Sequence, residues 1–398
     1  MTAIPFHGHC DPRFDAVRGI FAESFENGTE VGASVCFVLD GETVVDLWGG
    51  YLDREKTGEW QRDSLVNVYS TTKGMTALCA HMLIERGALD LDEPVARYWP
   101  EFAANGKQDL PVRWLLSHQA GLAAVRKPLS LDDLFGFDAV ANALAEQEPW
   151  WTPGEKHGYH ALTFGHLVGE LVRRASGKSV GTFFREEVAE PLEADFHIGL
   201  PEALDARTSD LHGELIPRGE GNGGGPKLAD IPGPIGEMMR DMADPTTLTG
   251  AAFNNPALGR GLVNTRAWRA AEIPAANGHG TASALARIYG TLARGGELDG
   301  VRLLEPESIR TACTEQAFGE DAVLRIPIRY GLGFMLTQDF MPFSPNPSAF
   351  GHPGAGGSIG MADPDAKLGF GYTMNQMQMG LVGAAGAFAM LKAFYEAL

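Results

Sequence analysis

Apolar residues recur along this chain with two different periods, and their order is the first clue to its architecture. Gly32–Leu39 and residues 43–48 are β-rich runs joined by Asp40-Gly41-Glu42, a hairpin signal. Near the other end, residues 330–337, 358–362 and 368–375 are further strand candidates. Helical spacing governs other segments. Residues 11–26 read as a helix, and Met75, Leu78, Met82 and Leu83 recur at helical spacing over 71–85, with Gly87 where a C-terminal glycine is expected. Phe164, Leu167, Val168, Leu171 and Val172 mark another amphipathic helix. Residues 381–398 carry Lys392 and Glu396 and read as a packed terminal helix.

This order predicts an α+β fold. The two ends of the chain contribute strands to one antiparallel sheet flanked by helices, and a mostly helical domain is inserted between them. The expected division is 1–65 with 282–398 for the discontinuous sheet domain, and 66–281 for the helical one. Between residues 201 and 280 the sequence turns Gly- and Pro-rich, with Gly221-Asn222-Gly223-Gly224-Gly225-Pro226 and Ile231-Pro232-Gly233-Pro234, and is expected to be irregular. Its Met238, Met239, Phe253, Leu258 and Trp268 are candidates for a pocket wall.

Composition narrows the function classes. The 398 residues, 44% of them hydrophobic, can bury a substantial core. A net charge of −19 argues against nucleic acid as a partner and against polybasic attachment to anionic lipid. Cys10, Cys36, Cys79 and Cys313 are far apart, without CxxC spacing, and are expected to be reduced thiols of a cytoplasmic protein. The N-terminal residues have neither a basic n-region nor an apolar h-region, and no apolar stretch approaches membrane-spanning length, so neither secretion nor membrane insertion is expected. His7, His9 and Cys10 read as a mobile terminus, and His157, His160 and His166 as loop residues; neither set has zinc-ligand spacing with a clear further ligand.

Candidate chemistry concentrates in Ser70-Thr71-Thr72-Lys73. A serine three residues before a lysine shares its helical face. At a helix N-terminus the dipole favours an anionic oxygen, and one turn inward burial lowers an amine's pKa enough for it to accept a proton. Four-residue patterns recur by chance, so context decides. The run Asn67-Val68-Tyr69-Ser70-Thr71-Thr72-Lys73-Gly74-Met75-Thr76-Ala77-Leu78, followed by Gly87-Ala88-Leu89-Asp90-Leu91-Asp92-Glu93-Pro94-Val95, resembles the first active-site box of the serine β-lactamase and penicillin-binding-protein superfamily. It is most similar to the class C β-lactamases and their esterase relatives, the family VIII carboxylesterases. The resemblance implies a β-lactamase-like fold and an acyl-enzyme on Ser70.

Two further boxes follow in the order the resemblance implies. Pro153-Gly154 leads to Tyr159-His160-Ala161, similar to the family's Tyr-x-Asn motif, whose tyrosine exchanges protons with the nucleophile. Ala161 departs from the Asn, which weakens the case for β-lactam turnover. A free tyrosine, with a pKa near ~10, is a poor base at neutral pH. Beside an ammonium its phenolate is favoured, so Lys73 and Tyr159 form a coupled pair in which either the phenolate or a neutral lysine is the base. Gly351-His352-Pro353-Gly354-Ala355-Gly356-Gly357 resembles the strand-edge motif written Lys-Thr-Gly in β-lactamases and His-x-Gly or Trp-x-Gly in esterase and peptidase relatives. On that match the backbone N–H of Ala355 joins that of Ser70 in an oxyanion hole. His352, Gly354, Trp151 and Phe253 are then the expected substrate-binding residues.

Other motifs are read as structural or rejected. Ser117-His118-Gln119-Ala120-Gly121-Leu122 resembles a helix-ending stretch of the same superfamily, and Asn277-Gly278-His279-Gly280-Thr281 reads as a turn and N-cap. Gly356-Gly357-Ser358-Ile359-Gly360 satisfies the nucleophile-elbow pattern of α/β-hydrolases. However, His352 is the last histidine and a strand follows, so Ser358 is rejected as nucleophile. The expectation is a serine hydrolase cleaving short-chain carboxylic esters, with a small-molecule ester as its partner and no metal or organic cofactor. A β-lactamase, a D-aminopeptidase or amidase, or an acyltransferase on the same scaffold is the alternative; a catalytically silent binding protein is the alternative of another class.

Overall fold

The computed structural model describes residues 4–213, 230–378 and 384–398; the glycine run 221–226 lies outside them, as does Leu381. Nine strands make the main sheet: β1 (Phe6–Cys10), β2 (Gly32–Leu39), β3 (Glu42–Gly50), β4 (Ala317–Glu320), β5 (Pro327–Tyr330), β6 (Met335–Leu336), β7 (Phe350–Pro353), β8 (Ile359–Asp363) and β9 (Leu368–Met374). Their spatial order is β1-β3-β2-β9-β8-β7-β6-β5-β4, antiparallel throughout. The two ends of the chain meet where β9 pairs with β2, from Leu368 opposite Leu39 to Met374 opposite Ala33. The β2–β3 hairpin turns at Asp40 and Gly41, whose φ values of 48° and 91° give the twist that suits a two-residue link.

Five longer helices matter for the site: α1 (Asp15–Glu26), α2 (Thr72–Glu85), α3 (Thr163–Ser176), α4 (Ala282–Ala293) and α5 (Ala385–Ala397). β2 is buried from Gly32 to Val38 because both faces are covered. Val35 and Phe37 belong to the core that includes Phe21 of α1 and Phe394 of α5, whereas Cys36 and Val38 pack with Ala282 and Ala286 of α4. Phe394 stacks on Phe14 at 4.1 Å and on Phe37 at 4.4 Å. On the other face α4 lies backbone to backbone on β9: a Cβ at Gly369 would stand 2.2 Å from the Gly290 nitrogen, and one at Gly371 2.1 Å from the Ala282 carbonyl oxygen. A second core gathers α2 and α3 with Trp99, Phe102, Leu115 and Leu144.

Several expectations need correction. Residues 330–337 are not one strand. Gly331 and Gly333 break the run, Gly333 at φ 85°, and β5 and β6 form a hairpin around them. His7, His9 and Cys10 are not a mobile terminus but part of β1, paired to β3 from Phe6 opposite Gly49 to Cys10 opposite Val45. The irregular region contains helices at Gly233–Ala243, Leu248–Asn254 and Arg266–Ala270; in the first, Pro234 sits in the opening turn, where a proline is tolerated. Gly278–Gly280 is a strand, paired with Val66–Asn67 and Phe196–Ile198, and Thr281 caps α4 as expected, accepting from the Ala284 N–H at 3.1 Å. His166 lies in α3 rather than in a loop. All four cysteines are free thiols. Among the described residues, no helix is long and apolar enough to cross a membrane.

The Phe14–Phe394–Phe37 stack closes the sheet against the terminal helix, so Phe394→Ala should lower unfolding stability by about 3 kcal/mol, the usual cost of deleting a buried aromatic. Urea denaturation followed by circular dichroism measures it. An unchanged midpoint would show that the stack does not hold α5.

Candidate active site

The site is built where the chain enters α2. The N–H groups of Thr71, Thr72 and Lys73 donate to the carbonyls of Val68, Tyr69 and Ser70 at 3.2, 3.0 and 2.9 Å, which places Ser70 on a tight turn just ahead of the Thr71 cap. Tyr69 takes a φ of 44°, a conformation a bulky residue adopts only when its surroundings impose it. Thr72 Oγ1 does so from one side, donating to the Tyr69 carbonyl at 2.5 Å and accepting from the Gly278 N–H at 2.8 Å. Ser358 Oγ does so from the other, donating to the Val68 carbonyl at 2.8 Å.

Lys73 is buried (0% exposed). Its Nζ lies 2.8 Å from the Ala161 carbonyl oxygen, 2.9 Å from that of Ala275 and 3.1 Å from Ser70 Oγ. It also stands 4.6 Å above the centre of the Tyr159 ring. Burial, with no carboxylate among the described residues to offset it, pushes its pKa well below the ordinary lysine range. A neutral amine has two N–H donors and one lone pair. In that form the two carbonyls would take the donors and the lone pair would be left for the Ser70 hydroxyl.

Tyr159 is held from behind by Asp321. The Tyr159 N–H donates to Asp321 Oδ1 at 2.9 Å, the N–H groups of Val323 and Leu324 donate to the same oxygen at 2.8 Å each, and Tyr330 OH donates to Oδ2 at 3.1 Å. Burial raises the Tyr159 pKa and a hydrogen bond with Ser70 opposes the rise. Burial therefore drives both members of the pair toward their neutral forms, amine and phenol, against the ammonium–phenolate scheme. Asp321 is invisible to motif reading: it is a lone aspartate 162 positions from the residue it orients.

The third box closes the site. A Cβ at Gly354 would fall 2.1 Å from the Val68 carbonyl oxygen and 2.2 Å from Ser358 Oγ, so only glycine lets β7 run on past the Ser70 turn. His352 Nδ1 lies 2.7 Å from the Pro353 carbonyl oxygen, to which it donates, leaving Nε2 as a buried acceptor with no partner among the described residues. Its ring centre is 6.0 Å from that of Tyr159. Burial brings the His352 pKa down to about 3. Its ring is neutral.

A cavity of about 190 Å³ opens in front of Ser70, with Ala355 also in its wall. Phe253, Leu258 and Trp268 line it as expected, together with Leu162, Leu211 and Met377. Met238 and Met239 pack instead into the core beside the sheet. Trp151 is not in this wall. Its Nε1 donates to the Lys156 carbonyl at 2.9 Å and its ring lies against Gly158, bracing the loop that carries Tyr159. His160 is also structural, accepting from the Leu122 N–H at 3.1 Å and donating to the Gly158 carbonyl at 2.7 Å. Among the described residues, no group of three His, Cys, Asp or Glu could hold a metal ion.

Comparison with known proteins identifies the family and the fold. Residues 17–393 match the Beta-lactamase family. The chain is 38% identical over 391 residues to the Esterase/beta-lactamase LipL of Mycobacterium tuberculosis, covering 94% of this chain and 84% of that one. Among solved structures, it resembles a family VIII carboxylesterase with a TM-score of 0.87 at 40% identity, covering 99% of this chain and 100% of that one. A penicillin-binding-protein homologue from Caulobacter crescentus gives the same TM-score of 0.87 at 38% identity, with 99% and 100% covered. The chain belongs to the β-lactamase family and is a serine hydrolase.

Proposed function

We propose that this enzyme is a carboxylesterase for short-chain esters, acting through an acyl-enzyme on Ser70 with Lys73 as the neutral base and Tyr159 as a protonated relay. The observation that carries the reading is the buried Nζ of Lys73, 3.1 Å from Ser70 Oγ, with its two donors held by the Ala161 and Ala275 carbonyls. Ser70 passes its proton to Lys73 as Oγ attacks the ester carbonyl. The tetrahedral oxyanion is stabilised by the N–H groups of Ser70 and Ala355. The departing alkoxide takes a proton from Tyr159, which is reprotonated from the Lys73 ammonium. Water then repeats the cycle on the acyl-enzyme, giving up its proton to the same pair.

An ester substrate is favoured over a β-lactam by what faces the site. Ala161 supplies only a carbonyl to Lys73, and His352, held neutral, is no cation for a β-lactam carboxylate. The cavity wall is mostly apolar. The kcat/KM for nitrocefin should therefore fall below that for p-nitrophenyl butyrate by roughly 10- to 100-fold, about the worth of one missing charge-assisted hydrogen bond. Equal values would remove the distinction.

Ser70→Ala should abolish ester hydrolysis, with the acyl adduct of the wild type located on Ser70 by mass spectrometry. Ser358→Ala should keep most of the activity and lose about 1–3 kcal/mol of stability, because the Val68 carbonyl loses its buried donor. An active Ser70→Ala enzyme beside a folded, inactive Ser358→Ala enzyme would reverse the assignment.

Lys73→Met should lower kcat/KM by about 10²- to 10⁴-fold. Because the neutral amine is the active form and its pKa is depressed, wild-type kcat/KM should rise with pH through the Lys73 pKa. Tyr159→Phe should keep that acidic limb at reduced amplitude. A depressed lysine pKa costs stability at every pH below the unfolded-state value; Lys73→Met regains that cost but leaves the Ala161 and Ala275 carbonyls without their buried donor, so its net change in stability at neutral pH should be small. A pH profile in which Lys73→Met retains the acidic limb would exclude lysine as the base.

A further inference from the structure

The wall of the cavity in front of Ser70 is graded in burial, and the gradient gives it a mouth and a floor. Gly259, Arg260 and Gly261 are exposed and form the mouth. Trp268 (0% exposed) and Ala276 are buried and form the floor. The floor is apolar behind as well as in front, because Trp268 and Ala276 share a core cluster with Leu134, Leu162 and Ile273.

The Trp268 ring is tied to the segment that carries Ser70. Its Nε1 donates at 2.9 Å to Oδ1 of Asn67, three residues before Ser70, and Asn67 Nδ2 donates to the Ala276 carbonyl at 3.3 Å. Asn277 Nδ2 holds the Trp268 carbonyl at 2.9 Å. Ala276 follows Ala275, whose carbonyl faces Lys73. A ring held at both its indole nitrogen and its backbone does not swing aside for a long chain.

The reaction itself divides the cavity. The carbon attacked by Ser70 carries four groups in the tetrahedral intermediate. Oγ is one, the oxyanion faces the Ser70 and Ala355 N–H groups, and the alkoxide leaves on the side of its proton donor, Tyr159. Phe253 lines the cavity on that side, its ring centre 6.4 Å from that of Tyr159, and packs with the Tyr159 cluster. The acyl chain takes the wall that remains, made by the separate cluster of Leu162, Trp268 and Ala276.

We propose that Trp268 is a specificity-determining residue, the stop of an acyl subsite that restricts the enzyme to short acyl chains, while Phe253 borders the alcohol. The inference rests on the carboxylesterase reading above. Removing the ring leaves apolar space, which stays dry and accepts an apolar chain.

The test is kcat/KM for two ester series. In p-nitrophenyl acetate, butyrate and octanoate only the acyl chain changes; in methyl, butyl and octyl butyrate only the alcohol changes. The wild type should favour p-nitrophenyl butyrate over the octanoate, and equal use of the two overturns the proposal. Trp268→Ala should raise the octanoate-to-butyrate ratio at least roughly tenfold, the worth of one methylene admitted to an apolar pocket, and leave the octyl-to-methyl ratio of the alcohol series unmoved. An unmoved acyl ratio in folded Trp268→Ala overturns the proposal, as does a parallel shift in both series, which marks a general loosening of the site. Phe253→Ala should do the reverse, and a shift in its acyl series alone would overturn the division. If Trp268→Ala does not fold, Trp268→Phe decides: it should raise the ratio of p-nitrophenyl hexanoate to butyrate, and an unmoved ratio overturns the stop. Unmoved ratios with hydrolysis still dependent on Ser70 sink only the role of Trp268; hydrolysis retained in Ser70→Ala would sink the esterase reading beneath it.

Discussion

A buried lysine amine with no counter-charge among the described residues is the constraint on which the rest of this site depends. Taking an ammonium out of water is expensive, and a buried amine without an anion gives up its proton instead. Lys73 has that environment because α2 is buried from Thr72 to Leu83, so the start of the helix lies inside the molecule. Two carbonyls from distant segments, Ala161 and Ala275, converge on its Nζ and leave one direction open, toward Ser70. A carboxylate there would raise the lysine's pKa and hold it as the ammonium, with no lone pair to accept a proton.

The fold keeps that geometry rigid by crossing the nucleophile turn with the sheet. Ser358, at the start of β8, holds the Val68 carbonyl and lies 3.1 Å from Thr71 Oγ1, while Gly354 lets the end of β7 pass without a clash. The strained φ of Tyr69 survives because this clamp and Thr72 fix the peptides on either side of it. From the far side, Asp321 gathers three N–H groups and a phenol, and so fixes the backbone of Tyr159. Ser70 and Lys73, on one turn, and Tyr159, from a distant loop, therefore share buried, hydrogen-bonded supports.

Much of this was legible in the residues. The period of the apolar positions marked α2 and the β2–β3 hairpin, and the three boxes marked Ser70, Lys73, Tyr159 and Ala355 because each depends on a short local pattern. What pattern reading missed depends on contacts between distant positions. Asp321 carries no motif, Trp151 turns away from the cavity to brace Gly158, and β1 is a strand because β3 is there to pair with it. The protonation of the Lys73–Tyr159 pair was open for the same reason. Spacing brings the two groups together, but burial shifts both toward their neutral forms, and burial is a property of the assembled fold.

The most direct test of the central claim is the titration of Lys73 itself, followed by the carbon-13 shift of its ε-carbon in lysine-labelled protein, with Lys73→Met assigning the signal. The account predicts a transition well below the ordinary lysine value near ~10.4. A Lys73 signal that stays protonated up to that ordinary range in the folded enzyme would contradict it.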